Sequence, residues 1–193
     1  MLSPILVIDN YDSFTYNLIH YLDKFSDFEI HVFRNDEILL SQIENYSNIV
    51  LSPGPGLPKN AGIMCDVINK FSATKNILGI CLGHQAIAEV FGAHLYNLSQ
   101  VYHGVAHRVK VLKTSNLSLG IPDTFIAGRY HSWAVDKNNF PDCLEILMED
   151  ENGVIMAIKH KYYNVYGLQF HPESILTEFG ERFIENWLKY CIL

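Results

Sequence analysis

The chain has 193 residues, of which 49% are hydrophobic and 18% charged, a composition that excludes a disordered segment. A formal net charge of −7 argues against a nucleic-acid surface, and no apolar run approaches the ~20 residues of a membrane helix. The length suits one domain over residues 1–193, and the scattered Cys65, Cys81, Cys143 and Cys191 with a start at Met1–Ile8 that lacks signal-peptide features predict a reduced, cytoplasmic protein.

In chain order, Ile5–Ile8 predicts a buried strand that ends in the polar cluster Asp9-Asn10-Tyr11-Asp12-Ser13. Phe14, Leu18, Tyr21, Leu22 and Phe25 then recur at helical spacing, with Asp12 or Ser13 placed to cap the first turn. Glu29–Phe33 predicts a second strand, and Asp36–Tyr46 a short helix with Ile38, Leu39 and Ile43 turned inward. Ile49–Leu51 is a third strand, closed by Pro53. Ala61–Phe71 predicts a helix, Asn76–Ile80 a strand entering Cys81, and the stretch from Gln85 a helix carrying Ala86, Ile87, Val90 and Phe91. Strands alternating with helices predict an α/β fold, with a mostly parallel central sheet flanked by helices. From about residue 93 to 170 an additional β-rich segment follows, with runs at Val109–Leu112, Cys143–Met148, Val154–Ile158 and Val165–Phe170. The closing helix places Phe179, Phe183, Ile184, Trp187, Leu188 and Cys191 on one apolar core stripe.

Ligands of open α/β sheets sit beyond the carboxyl ends of the strands, so the chemistry is expected where Ser52–Gly56, Cys81–Gln85 and His171–Glu173 meet. Gly79-Ile80-Cys81-Leu82-Gly83 has the spacing of a nucleophile elbow, in which a strand reverses into a helix with no room for side chains beside the nucleophile. The helix N-terminus would favour a Cys81 thiolate, and the Leu82 N–H would be free to face an oxyanion. Cys65, Cys143 and Cys191 lack such flanks and are assigned to packing. His171 and Glu173 lie two apart in extended chain and can be neighbours, which is the arrangement of a general base and the carboxylate that orients it. Ser52-Pro53-Gly54-Pro55-Gly56-Leu57-Pro58 is too short of N–H donors for a phosphate cradle, but it suits one oxyanion or one amino-acid backbone. No metal site is expected; His103 and His107 are read as a surface pair.

Cys81-Leu82-Gly83-His84-Gln85, the Pro53–Gly56 loop and His171-Pro172-Glu173 together resemble the class I, triad-type glutamine amidotransferases, which have a flavodoxin-like fold. Ile8–Asn17 and Arg129-Tyr130-His131-Ser132 narrow the resemblance to the glutaminase subunits of anthranilate synthase and aminodeoxychorismate synthase. The resemblance implies that Cys81 attacks the side-chain amide of L-glutamine, with His171 as acid and base and Glu173 orienting it. It places the oxyanion between the N–H groups of Gly56 (or Gly54) and Leu82. The glutamine head group falls to Gln85, to the main chain around Ser132 and Trp133, and to the loop Gly54, Pro55 and Gly56. The implied partner is a chorismate-binding synthase subunit, which would carry magnesium; no cofactor is implied for this chain. Two departures stand out: Val105-Ala106 follows His103-Gly104 where relatives carry Lys and a small hydroxyl residue, and Trp133 stands where Leu is commoner. Two rival readings are a partner-free γ-glutamyl cysteine hydrolase and a non-catalytic flavodoxin-like module with Asp9 and Asp12 as an acidic pocket.

Overall fold

Three strands of the first half, Ile5–Asp9, Asn48–Leu51 and Asn76–Ile80, are short, mostly apolar runs whose alternating side chains feed two separate cores. The computed structural model describes residues 3–191, so Met1, Leu2 and the side chain of Cys191 lie outside the described residues. The elements run β1 (Ile5–Asp9), α1 (Thr15–Lys24), β2 (Ile30–Arg34), β3 (Asn48–Leu51), α2 (Met64–Phe71), β4 (Asn76–Ile80) and α3 (Leu82–Val90). The β-rich segment holds β5 (Leu95–Asn97), β6 (Val105–Val111), β7 (Thr124–Arg129), β8 (Trp133–Val135), β9 (Leu144–Asp150), β10 (Ile155–His160) and β11 (Val165–Leu168), before α4 (Gly180–Cys191).

Nine strands form one sheet in the order β2-β1-β3-β4-β11-β10-β9-β6-β7, and β5 pairs with β8 separately. From β2 to β11 neighbours are parallel; from β11 to β7 they are antiparallel. The β-rich segment therefore extends the parallel sheet as an antiparallel half, and the sheet as a whole is mixed. On one face Ile5, Val7, Val50, Leu78 and Ile80 pack with Leu18 and Leu22 of α1 and with Phe183, Ile184, Trp187 and Leu188 of α4. On the other, Leu6, Ile8, Ile49, Leu51 and Ile77 pack with α2 and α3. One residue per step changes face, as the pleat requires.

Two local expectations are corrected. Asp36–Tyr46 forms no α-helix, only a 3-10 turn at Gln42–Asn45. There the Glu37 carboxylate accepts from the Arg34 N–H at 3.4 Å and the Gln42 carbonyl from the Leu39 N–H at 2.9 Å, side-chain bonds that compete with a helix. Ile38 and Ile43 are buried, but Leu39 is exposed. Phe179 does not join the core stripe. It precedes α4 with φ +59° and is 47% exposed, in a turn where Gly180 packs so close to Pro172 that an added Cβ would overlap the Pro172 carbonyl.

At the start of α1 the Asp12 carboxylate accepts from the Phe14 N–H at 2.8 Å. Asp9, buried, takes the Thr15 hydroxyl at 3.0 Å and the Arg34 guanidinium at 3.2 Å. The two acids thus serve the chain's own turn, which leaves the acidic-pocket reading without its pocket. No described helix is long and apolar enough to cross a membrane.

Candidate active site

β3, β4 and β11 are adjacent and parallel, so their carboxyl ends bring Ser52–Gly56, Cys81 and His171 to one edge of the sheet. Leu168 of β11 lies opposite Ile80 of β4, and the Cys81 N–H donates to the Leu168 carbonyl at 2.7 Å. That register is how residues distant in sequence become neighbours.

Cys81 has φ +51° and ψ −96°, a conformation that a residue with a Cβ adopts only under constraint. Its flanks must be glycine: a Cβ on Gly79 would overlap the Gly83 backbone, and one on Gly83 would stand 2.6 Å from the Leu51 carbonyl oxygen. Leu82 opens α3, so its N–H is among those a helix leaves without an internal acceptor, at the positive end of the dipole. Leu82 also lies against Gly54, where an added Cβ would meet its side chain at 2.9 Å.

His171 Nδ1 lies 2.7 Å from Glu173 Oε1, with both side chains almost wholly buried. Thr177 donates its hydroxyl to the His171 carbonyl at 2.6 Å, which fixes the turn after β11. Phe14 and Tyr130 wall the imidazole, with ring centroids 5.4 and 4.8 Å away. Burial opposes the imidazolium, but the Glu173 carboxylate and then the Cys81 sulfur outweigh it, and His171 titrates well above the ordinary imidazole range. A histidine whose imidazolium is favoured in this way, held from behind by a carboxylate, is placed to act as an acid toward a leaving amine. Glu173→Ala is expected to cut turnover at this site about 10²–10⁴-fold with folding retained. Steady-state turnover together with a thermal melt checks this; normal turnover would remove Glu173 from the machinery.

The loop Gly54–Gly56, Cys81, Gln85 and the segment Tyr130–Trp133 line a cleft of about 130 Å³. A wider opening of about 370 Å³ reaches Cys81 and His171 from another side, between Tyr11–Phe14, Pro53–Pro55, His103 and Tyr130. Of the residues singled out in the sequence, Gly54, Pro55, Gly56, Cys81, Gln85, Ser132 and Trp133 share the small cleft, while His171 meets Cys81 at the wider one. The Ser132 carbonyl is taken by the Leu98 N–H at 2.8 Å. The Trp133 carbonyl receives Gln85 Nε2 at 2.9 Å and His131 Nδ1 at 2.7 Å.

Behind the cleft lies a network that the sequence does not announce. Arg129, wholly buried, pairs its Nη1 with Asp150, stacks 3.8 Å over the Tyr102 ring and donates from Nε to His131 Nε2 at 3.1 Å. His131 must then carry its proton on Nδ1, the atom that donates to Trp133. Burial, reinforced by the Arg129 charge, pushes its pKa down to about 3, so the relay stays neutral. Asp150 is also held by the N–H groups of Asn152 and Val154, in the turn after β9. In sequence, Asp150-Glu151-Asn152-Gly153 looks like any polar turn, and Arg129 is only part of a motif.

Of the other histidines, His84 and His107 line neither opening, while His103 lines the wider one. His84 is buried beside Gly167, and burial pushes its pKa down to about 4. His107 lies on β6 against the Tyr102 ring, and His103 stands before that strand. Among the described residues no group of His, Cys, Asp or Glu is arranged to hold a metal ion.

The family model for class-I glutamine amidotransferases matches residues 6–191. The chain is similar to anthranilate synthase component 2 of Pyropia yezoensis, 43% identical over 189 residues covering 96% of this chain and 99% of that one. It is 44% identical to aminodeoxychorismate synthase component 2 of Klebsiella aerogenes, over 95% of this chain and 98% of the other. Bifunctional protein TrpGD of Thermotoga maritima is 44% identical over 97% of this chain, which spans only 32% of that longer protein. A crystal structure of a candidate GMP synthase subunit from Thermoplasma acidophilum superposes with a TM-score of 0.89 at 26% identity, covering 100% of this chain and 95% of the other.

Proposed function

The chain belongs to the class-I glutamine amidotransferase family, and from that premise we propose that it is the glutamine-hydrolysing subunit of a chorismate-aminating synthase, component II of anthranilate synthase. Relatives named for both chorismate branches, at 43 and 44% identity, support the synthase class. The aminodeoxychorismate relative is the observation that favours a second, shared partner.

The observation that carries the chemistry is the buried His171–Glu173 hydrogen bond beside a strained Cys81 at the edge of a small polar cleft. In the proposed reaction the Cys81 sulfur attacks the side-chain amide carbon of L-glutamine and forms the C–S bond. The amide oxygen takes the negative charge between the N–H of Leu82 and that of Gly56 or Gly54. His171 gives its proton to the amide nitrogen, the C–N bond breaks and ammonia leaves. Water then attacks the glutamyl thioester while His171 takes its proton; glutamate departs and the sulfur is restored. Glu173 holds the imidazole in orientation throughout. Chorismate and the magnesium used in its amination belong to the partner in this reading.

The test is glutamate release from glutamine by the chain alone, then with the large subunit of anthranilate synthase and chorismate. Strong stimulation with anthranilate formed supports the proposal. Cys81-dependent release that responds only to the aminodeoxychorismate synthase large subunit moves the chain to that branch. Release indifferent to both would make it a self-sufficient hydrolase.

A further inference from the structure

One buried side chain at the site has no part in these reaction steps. Gln169, wholly buried, follows β11 one residue beyond the last paired position and so stands beside Cys81. Its Nε2 points at the Cys81 sulfur at 3.7 Å, and its Oε1 accepts from Gln85 Nε2 at 3.2 Å. The main chain gives it a fixed stance, because the Gln169 N–H donates to the Met156 carbonyl of β10 at 2.9 Å.

These contacts fix the direction of two amides. A sulfur that carries negative charge can only accept, so the end of Gln169 facing it must be the NH₂ group. Oε1 of Gln169 then faces Gln85 and requires the NH₂ of Gln85 in return. That NH₂ is engaged twice, by Gln169 and by the Trp133 carbonyl. The remaining polar atom of Gln85, Oε1, is the one left for the cleft, and it is an acceptor only. An acceptor there suits a donor such as an ammonium, and a carboxylate in its place would be repelled.

We propose that Gln169 is a catalytic residue of this site: it donates a hydrogen bond to the Cys81 thiolate and, through Gln85, sets the acceptor that selects substrates carrying a free α-ammonium group. The selectivity half rests on the amidotransferase reading above; the thiolate half does not. The charged groups near the sulfur are His171 and, behind it, Glu173. Both remain in place when Gln169 is changed, so an altered sulfur reactivity is attributable to Gln169.

The experiment uses Gln169→Met and, as a second variant, Gln169→Leu, each checked by thermal melting. The first readout is alkylation of Cys81 by iodoacetamide across pH, followed on the Cys81 peptide by mass spectrometry. Loss of the donor is expected to move the rate profile about one pH unit upward, with about tenfold slower alkylation on its acid side. The second readout compares hydrolysis of glutamine with that of glutaramate, which has the same amide and carboxylate but no amino group. The preference for glutamine in kcat/KM is expected to fall about tenfold or more in the variants. An unchanged alkylation profile in a folded variant overturns the thiolate role, and an unchanged preference overturns the selectivity role. A wild-type chain that hydrolyses neither amide, alone or with either synthase large subunit and chorismate, defeats the amidotransferase reading, while the alkylation profile still decides what Gln169 does to the sulfur.

Discussion

Cys81→Ala is expected to abolish glutamine hydrolysis, by at least about 10⁴-fold, and with it the glutamine-dependent activity of the assembled synthase, while ammonia-dependent amination of chorismate survives. The size follows from the role. Cys81 is the one cysteine among the described residues lining either opening, and without its sulfur the residual rate is what positioning alone provides. The separation of the two activities follows from the architecture, because in the proposed arrangement amination takes place on another subunit. Ala is the right replacement: it keeps a Cβ at φ +51° and removes only the sulfur, whereas Gly would relax the strained turn. Glutamate and amination product are measured side by side, with glutamine or with an ammonium salt. Loss of both activities would mean that Cys81 supports the structure or the contact with the partner, and retention of both would remove it from the chemistry.

Asp150→Ala is expected to be the most destabilising of these changes. Arg129 has no solvent exposure, and its counter-charge is Asp150, likewise buried. Removing the carboxylate leaves a guanidinium in the core, a loss of about 3–5 kcal/mol. That is a large part of the ~5–15 kcal/mol by which domains are stable, and for a chain of this size it lowers Tm by roughly 10 °C. The two N–H groups that Asp150 Oδ1 receives in the following turn would also lose their acceptor. Replacing both charges together, as Arg129→Met with Asp150→Leu, is expected to recover most of the melting temperature. It also removes the Arg129 N–H that holds His131, so the KM for glutamine is expected to rise in the double variant even where folding is recovered. Calorimetry on the single and double variants, with KM on the double, checks the argument. A single variant that melts within about 2 °C of the parent would show the pair to be dispensable.

The parallel half of the fold was legible because β1, β3 and β4 are short apolar runs with hard stops, and an element buried on both faces leaves that mark in sequence. β6 and β7 were harder. β6 shows mostly exposed residues with Val109 buried, and β7 has a Gly near its end, so neither displays a continuous run. The Asp36–Tyr46 segment has helical spacing of its apolar residues, but spacing says nothing about Glu37 and Gln42 capturing backbone amides. At the site, Cys81, His171 and Glu173 could be singled out because each combines a chemically capable side chain with a Gly or Pro that fixes the backbone. Gln169, Arg129 and Asp150 act by what they touch across the sheet. Their contacts span 88 and 21 positions, and no local pattern encodes such distances.

The place of β11 also bears on how the chain comes off the ribosome. β4 ends at Ile80, but the strand that covers its open side does not begin until Val165. At synthesis speeds of about 5–20 residues per second, that edge waits roughly 5–20 s with its apolar residues and ladder groups unpaired. The nucleophile is made well before its base, so the nascent chain stays inert until β11 and His171 have emerged. The same interval is when Ile77, Leu78 and Ile80 are open to a neighbouring nascent chain. A slow stretch of codons in this interval would lengthen the exposure without altering one residue of the finished protein.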